Sequence, residues 1–297
     1  MRRKIIDGMP APAMGTRLLK GLILLLICTV VIVPFIGIVS TSVASPEQVT
    51  KAGGFVLFPD SVQWSAYASV LSGGVVTRSL FVSAGVTIVG TLLSLTVTSM
   101  LGWALSRRSM VGNKFMIMLV LFSLLFTPGM IPTYLMVKQL GMLDSYWALI
   151  VPTMVSGFNV IVMRSFFSGI PAELIDAARI DGAGEWQIFR RIALPLSKAV
   201  MAVIGLFYAV GYWNSFFNAM LYLSDSAKWP LQLVLRTYVV NGTQLGEADL
   251  GAVEAVLPPE PSIQMAILVI AIVPILLVYP FLQKHFAKGV LTGAVKG

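Results

Sequence analysis

The side chains that could do chemistry are few in this chain, and their types limit what that chemistry is. Only 11% of its 297 residues are charged, against about a quarter in an average soluble protein. The densest polar group lies in Ile170 to Leu196, IPAELIDAARIDGAGEWQIFRRIALPL, with Glu173, Asp176, Asp181 and Glu185 set among Arg179, Arg190 and Arg191. These groups can form ion pairs with a partner surface. Catalysis is a poor fit, since His285 is the single histidine and leaves no second imidazole for a metal site or a histidine-based triad. No lysine is followed by Ser or Thr, so a phosphate-binding loop of the G-x-x-x-x-G-K-[ST] type cannot exist here. Cys28 is the single cysteine and precludes an intrachain disulfide.

The elements that must position this polar stretch are legible from its punctuation. It is entered after Pro171 and left at Pro195, with Gly182 and Gly184 between two helix-forming runs, which predicts helix, turn, helix. Glu173 and Asp176 near the start of the first run, and Arg190 and Arg191 at the end of the second, complement the helix dipoles. Trp186, Phe189 and Ile192 recur three residues apart and share a face, so the hairpin has an apolar side to bury.

Around it the chain is apolar: 57% hydrophobic residues and a mean hydropathy of +0.87. That composition predicts an all-α, polytopic membrane protein built from spans of about 20 residues each. Six are expected, over residues 18–39, 79–105, 115–137, 146–167, 196–223 and 263–283. The first is longer than the core of a secretory signal, so it reads as a retained span. The second is rich in Gly, Ser and Thr, which permit close helix packing in lipid. Thr127-Pro128-Gly129-Met130-Ile131-Pro132 should break or kink the third. Trp64, Tyr67, Val70 and Leu71 predict a short interfacial helix within the loop after the first span. The resulting organisation is a tail over 1–17, a transmembrane domain over 18–283 that includes the hairpin 170–196 and a long outer loop 224–262, and a basic tail over 284–297.

Charge orients these spans. With the N-terminus inside, the inner segments hold five Lys and Arg in the N-terminal tail and the first turn of the span after it, three in the second-to-third turn, five from Arg164 to Lys198 and three in the C-terminal tail. Only Lys51, Arg78, Lys138, Lys228 and Arg236 stay outside, while eight of the 13 acids fall there. The asymmetry follows the positive-inside rule and puts both termini and the hairpin in the cytoplasm. It also accounts for the net charge of +8 without nucleic acid, for which no soluble basic domain exists.

The hairpin resembles the cytoplasmic loop with a Glu-Ala-Ala signature found in permease subunits of bacterial ABC importers. Asp176, Ala177 and Ala178, then Gly182, then Ile192, Leu194 and Pro195 stand at that family's spacing, with Asp176 in place of the usual Glu. The flanking Ile-Asp-Gly-Ala and Leu-Pro-Leu narrow the resemblance to the maltose-type carbohydrate permeases. Ile131-Pro132-Thr133-Tyr134, Tyr212-Trp213-Asn214 and Trp229-Pro230-Leu231 extend it along the chain.

The resemblance implies the fold of a type I ABC importer permease. It implies no cofactor on this chain, with ATP and Mg held by a separate ATPase. The partners implied are a second, homologous permease, two ATPase subunits, an extracytoplasmic sugar-binding protein and membrane lipid, in a bacterial cytoplasmic membrane. Glu173, Asp176, Ala177, Ala178, Asp181, Gly182, Ile192, Leu194 and Pro195 would then form the coupling surface for the ATPase. Asn159, Tyr208, Tyr212, Trp213, Asn214 and Asn218 are candidates for the substrate pathway, because aromatic faces and amides suit sugars. The outer loop from Ser224 to Ser262 is expected to meet the binding protein, and deletions within Leu245 to Val256 to weaken its stimulation. Two other readings are a secondary transporter or channel, disfavoured because no acid or base lies away from the ends of the spans, and a non-transporting membrane scaffold.

Overall fold

The computed structural model describes residues 5–6, 9–10, 14–107, 109–242 and 258–294. The segment Leu245 to Val256, with most of the N-terminal tail, lies outside the described residues. Within the N-terminal tail a two-residue antiparallel ladder joins β1 (Ile5–Ile6) to β2 (Met9–Pro10). All other described regular structure is helical.

The chain divides into two compact units. The first holds α1 (Met14–Val43), α2 (Pro46–Lys51) and α3 (Ser65–Leu71). Helix α1 is apolar along its length and largely exposed, as a lipid-facing helix is. Its final turns carry a polar anchor of this unit: Thr41 Oγ1 accepts from Val56 N at 2.8 Å, Ser40 Oγ donates to Leu57 O at 2.8 Å, and Ser42 shares a 2.8 Å bond with the Tyr67 hydroxyl. The short helix expected around Trp64, Tyr67, Val70 and Leu71 is α3, with Trp64 as its N-cap.

The second unit is organised on α4 (Val75–Ser106), against which α8 (Gly157–Ser168) and α12 (Lys198–Trp213) are laid. The buried face of α4 is Ser79, Ser83, Val86, Gly90, Ser94, Thr98 and Gly102. Small residues at this spacing let backbones approach closely. A Cβ on Gly102 would lie 2.8 Å from Met163 Cγ, and one on Gly90 2.8 Å from the Tyr212 ring.

Among the described residues three helices are long and apolar enough to cross a membrane, α1, α4 and Glu260–Pro280 within α15 (Glu260–Ala294), and up to six segments are if each bent pair counts as one. The third expected span is broken into α5 (Asn113–Leu125) and α6 (Met130–Gln139), which meet at 119°. The cause is the Thr127-Pro128-Gly129 run, where Gly129 takes φ +82°. The fourth is α7 (Trp147–Ile150), continued as a 3-10 turn to Thr153, then α8 after a 53° bend. The fifth departs from the continuous span expected over 196–223, because α12 ends at Trp213 and a separate helix α13 (Phe216–Tyr222) follows. Asn214 and Ser215 make the break, with the Asn214 amide donating back to Val210 O at 2.9 Å and the Ser215 hydroxyl to Tyr212 O at 2.7 Å. The described part of the loop over 224–262 is partly helical, with α14 (Leu231–Leu235) running on as a π-helical turn to Val240.

Candidate functional site

Two arrangements in the second unit can act on something outside the chain, the hairpin over 170–196 and a cavity between α8 and α12. The hairpin consists of α9 (Ala172–Ile180), a turn, and α10 (Glu185–Ile188), which continues as a π-helical turn over Phe189–Ala193 and a last turn, α11 (Leu194–Leu196). The turn depends on Gly182 at φ +82°. Space is open where its Cβ would be, so the glycine is required by backbone conformation and not by crowding. Ala183 N returns to Ala178 O at 2.9 Å and Gly182 N to Arg179 O at 3.0 Å, covering carbonyls left over at the end of α9.

Arg179 closes the hairpin from the side. Its guanidinium bonds Glu185 Oε1 at 2.7 Å and 3.1 Å and Asp176 Oδ1 at 3.3 Å. The hydrogen bond and charge of Glu185, then Asp176, push the guanidinium pKa up. Sequence reasoning missed this role for Arg179; a basic residue three after one acid and six before another was the available signal. The departure at position 176 also gains an account, since the shorter Asp carboxylate is engaged within its own hairpin.

The residues expected on the coupling surface divide by exposure. Glu173, Asp176, Ala177, Asp181, Gly182 and Pro195 are exposed, whereas Ala178, Ile192 and Leu194 are half-buried against the bundle core. Large apolar side chains accompany the exposed set, with Ile180 86% and Trp186 60% exposed. Below them Ile175, Ile188, Phe189 and Ala193 are buried, and the Phe189 ring meets Trp103 of α4 and Phe167 of α8 at centroid distances of 5.9 and 6.2 Å. Of the shared face expected for Trp186, Phe189 and Ile192, Trp186 is therefore exposed, Phe189 buried and Ile192 half-buried. From Glu185 to Leu196 the chain runs at 83° to α12, crossing the end of that helix instead of extending it.

The cavity has a volume of about 390 Å³. Four of the six residues expected on a substrate pathway line it: Asn159, Tyr208, Tyr212 and Asn218. Thr153, Ser156, Phe158, Phe207, Gly211 and Ser215, which sequence reasoning did not single out, complete the wall. None of these lining residues is charged. The two tyrosines are pinned from behind: the Tyr208 hydroxyl is 2.7 Å from Thr98 Oγ1 and accepts from Ser156 N at 3.0 Å, and the Tyr212 hydroxyl is 2.8 Å from Ser94 Oγ and donates to Ile150 O at 3.3 Å. Their rings are thus held in place as fixed walls. The cavity does not include the other two. Trp213 is buried with its indole N–H donating to Ala271 O at 3.1 Å, beside a separate apolar cavity of about 140 Å³. Asn214 is exposed and spends its amide on Val210 O.

At the far end of α13 a second fixed point is built on Asp144, which takes φ +56°, a region that Asp tolerates better than most residues. Its Oδ1 accepts from Ser224 N at 3.1 Å and Asp225 N at 3.0 Å, and its Oδ2 lies 2.6 Å from Lys228 Nζ. Its own amide donates to Tyr222 O at 2.8 Å. The hydrogen bond from Lys228, followed by that from Asp225 N, holds the Asp144 carboxyl below its ordinary range, and Asp144 raises Lys228 in turn. Among the described residues no group of three or more His, Cys, Asp or Glu could hold a metal ion.

Comparison with known proteins adds to this geometry. Residues 94–292 match the family described as binding-protein-dependent transport system inner membrane component. The chain is 46% identical over 276 residues, 92% of its length and 96% of the relative's, to the polygalacturonan/rhamnogalacturonan transport system permease protein YtcP of Bacillus subtilis. It is 48% identical over 268 residues, 90% of each chain, to protein LplC of the same organism. Among solved structures it superimposes with a TM-score of 0.84 at 31% identity, over 94% of this chain and 100% of the other, on a chain of a bacterial ABC transporter involved in the import of the acidic polysaccharide alginate.

Proposed function

Since this chain belongs to the family of binding-protein-dependent transport system inner membrane components, we propose that it forms half of the translocation pathway of an ABC importer for oligosaccharides, uronate-containing ones among them. The named cargo of the relatives supports the substrate class. The cavity supports it independently: fixed tyrosine faces, hydroxyls and the amides of Asn159 and Asn218 are groups that stack on and hydrogen-bond to sugar rings. Its uncharged wall leaves any sugar carboxylate to be met by other groups along the pathway.

The observation that carries the coupling role is the hairpin. It crosses the end of α12 at 83°, is closed on itself by Arg179, and still exposes Ile180, Trp186 and Leu174 beside Glu173 and Asp181. Isolated apolar surface of this kind, rimmed by charge, is what a docking site for another protein looks like. The reading assigns residues 170–196 to the cytoplasm, where a separate ATPase holding ATP and Mg receives Asp176, Ala177, Asp181 and Gly182. Lys and Arg asymmetry supports that orientation and cytoplasmic termini. The remaining partners are a second permease, another ATPase subunit and the binding protein, which the outer loop over 224–262 faces.

The test is reconstitution of the complete importer in lipid vesicles with oligogalacturonides as cargo. Gly182→Trp, which forces a bulky residue into φ +82°, should leave the chain in the membrane and abolish the rise in ATP hydrolysis caused by loaded binding protein. Wild-type stimulation in that variant rules out the coupling role of the hairpin.

A further inference from the structure

The hairpin would move nothing unless it were tied to the helices it lies against, and the tie is unusual in using one charged side chain inside an aromatic cluster. Arg107 follows the last residue of α4. Its guanidinium carbon lies 4.0 Å from the centroid of the Trp103 ring, its Nη2 donates to Phe167 O in the last turn of α8 at 3.2 Å, and its Nε donates to Ser106 Oγ at 3.1 Å. Trp103 and Phe167 meet edge to face at 5.6 Å, and both rings touch Phe189 of the hairpin. One guanidinium therefore joins the ends of two spans around the ring through which the hairpin is seated.

We propose that Arg107, acting through Trp103 and Phe167, is the positioning residue that converts movement of the hairpin into movement of α4 and α8. This rests on the reading of the hairpin as the coupling element. Three observations support it. The end of α4 has no slack, because Leu105 O accepts from Arg164 Nε at 3.0 Å and from the Asn113 amide at 3.0 Å, and the same amide donates to Arg107 O at 3.0 Å. A cavity of about 170 Å³, bounded by Met100, Trp103, Glu185, Trp186 and Phe189, leaves room for the hairpin to rock against α4. The guanidinium also stands in the field of the hairpin's own ion pair: burial lowers its pKa, Glu185 opposes that and Arg179 adds to it. A displaced hairpin thus changes both the packing and the electrostatics at Arg107. Only arginine can stack flat on an indole and donate from its edge to a carbonyl at the same time; a lysine would keep the charge and lose that geometry.

The experiment uses the assembled importer in nanodiscs, in a Cys28→Ser background with Ser215→Cys in the cavity wall as a reporter. The rate at which a hydrophilic maleimide labels that cysteine is compared with and without ATP–vanadate, a readout that needs no cargo. Arg107→Ala should retain the ATPase subunits and trap vanadate, yet reduce the ATP-dependent change in labelling by about fivefold or more, the lower end of coupling between linked sites. Arg107→Lys, chosen to fold if the alanine variant does not, should fall between. An unchanged response in Arg107→Ala, full wild-type behaviour in Arg107→Lys, or loss of the ATPase from either variant would each overturn the proposal, the last because Arg107 would then belong to docking. Gly182→Trp run in parallel separates the two levels. If that variant responds like wild type, the coupling reading itself fails; if it is unresponsive while Arg107→Ala is normal, only the role of Arg107 fails.

Discussion

The helices of the second unit are fastened at two places by opposite means. Beneath the hairpin, Phe167, Ile188 and Phe189 are buried with Trp103, and the Arg107 guanidinium is spent on a ring face and a carbonyl. Beside α13 the fastening is Asp144, whose carboxylate binds two backbone amides and Lys228 in half-exposed surroundings. Dense apolar packing yields little when conditions change, because every displaced ring loses many contacts at once. An exposed ion pair is weak, screened by salt and dependent on protonation. The first place resists displacement, and the second holds its loop by bonds that salt and extremes of pH weaken.

That contrast can be broken by substitution. Phe167→Ala removes a fully buried ring and should cost about 3–5 kcal/mol, read as a lower unfolding midpoint in denaturant; a change within the scatter of surface variants would mean the cluster is not a packed core. Next in size is Gly102→Val, whose Cβ meets Met163 Cγ at 2.8 Å and Arg164 N at 3.2 Å. Overpacking there should cost about 1–3 kcal/mol, and equal stability of the two proteins would show that α4 and α8 separate easily.

Smaller effects are expected at Asp144. Asp144→Asn should speed tryptic cleavage after Lys228 in intact vesicles without lowering the unfolding midpoint, and high salt should do the same to the wild-type protein; a midpoint as low as that of Phe167→Ala would erase the distinction. The pH dependence has a definite sign. The Asp144 carboxyl is depressed, so its contribution is complete above the unfolded value of about 4 and is lost as pH falls through the folded one. Lys228 is raised, so its contribution is complete below about 10.4 and is lost as pH rises through the folded value. Protection of Lys228 should therefore be flat across neutral pH and fail only toward the two extremes, and a transition near neutrality would point to a different titrating group. The smallest effect is expected for Asp176→Glu. Its carboxylate is exposed and engaged with Arg179 at 3.3 Å, so unfolding and stimulated ATP hydrolysis should match the wild type. A clear gain in stimulation would show that the longer carboxylate reaches an ATPase contact that Asp176 does not make.

Much of this was legible in the chain itself. Composition and span length dictate a polytopic helical protein, because about 20 apolar residues satisfy their own backbone polar groups in lipid only as a helix. The Pro171, Gly182, Gly184 and Pro195 punctuation dictates a hairpin over 170–196, and the Thr127-Pro128-Gly129 run dictates a broken third span, since both are local consequences of φ restriction and missing donors. Lys and Arg spacing supports the orientation for the same kind of reason, a sum over residues that needs no contacts.

Tertiary structure alone decided which side chains meet. Tyr208 and Tyr212 are four apart on α12 and share a face, but that their hydroxyls reach Thr98, Ser94 and Ile150 O depends on how α4 and α7 are placed beside them. Trp213 and Asn214 follow in sequence and turn away, Trp213 toward Ala271 and Asn214 onto its own helix. Arg107 reads in sequence as one more inner-surface charge. It becomes a tie between α4, α8 and the hairpin only because Phe167 O lies within reach of a guanidinium already stacked on Trp103. Local backbone preferences are written along the chain, whereas a contact across 60 residues depends on packing that no short stretch contains.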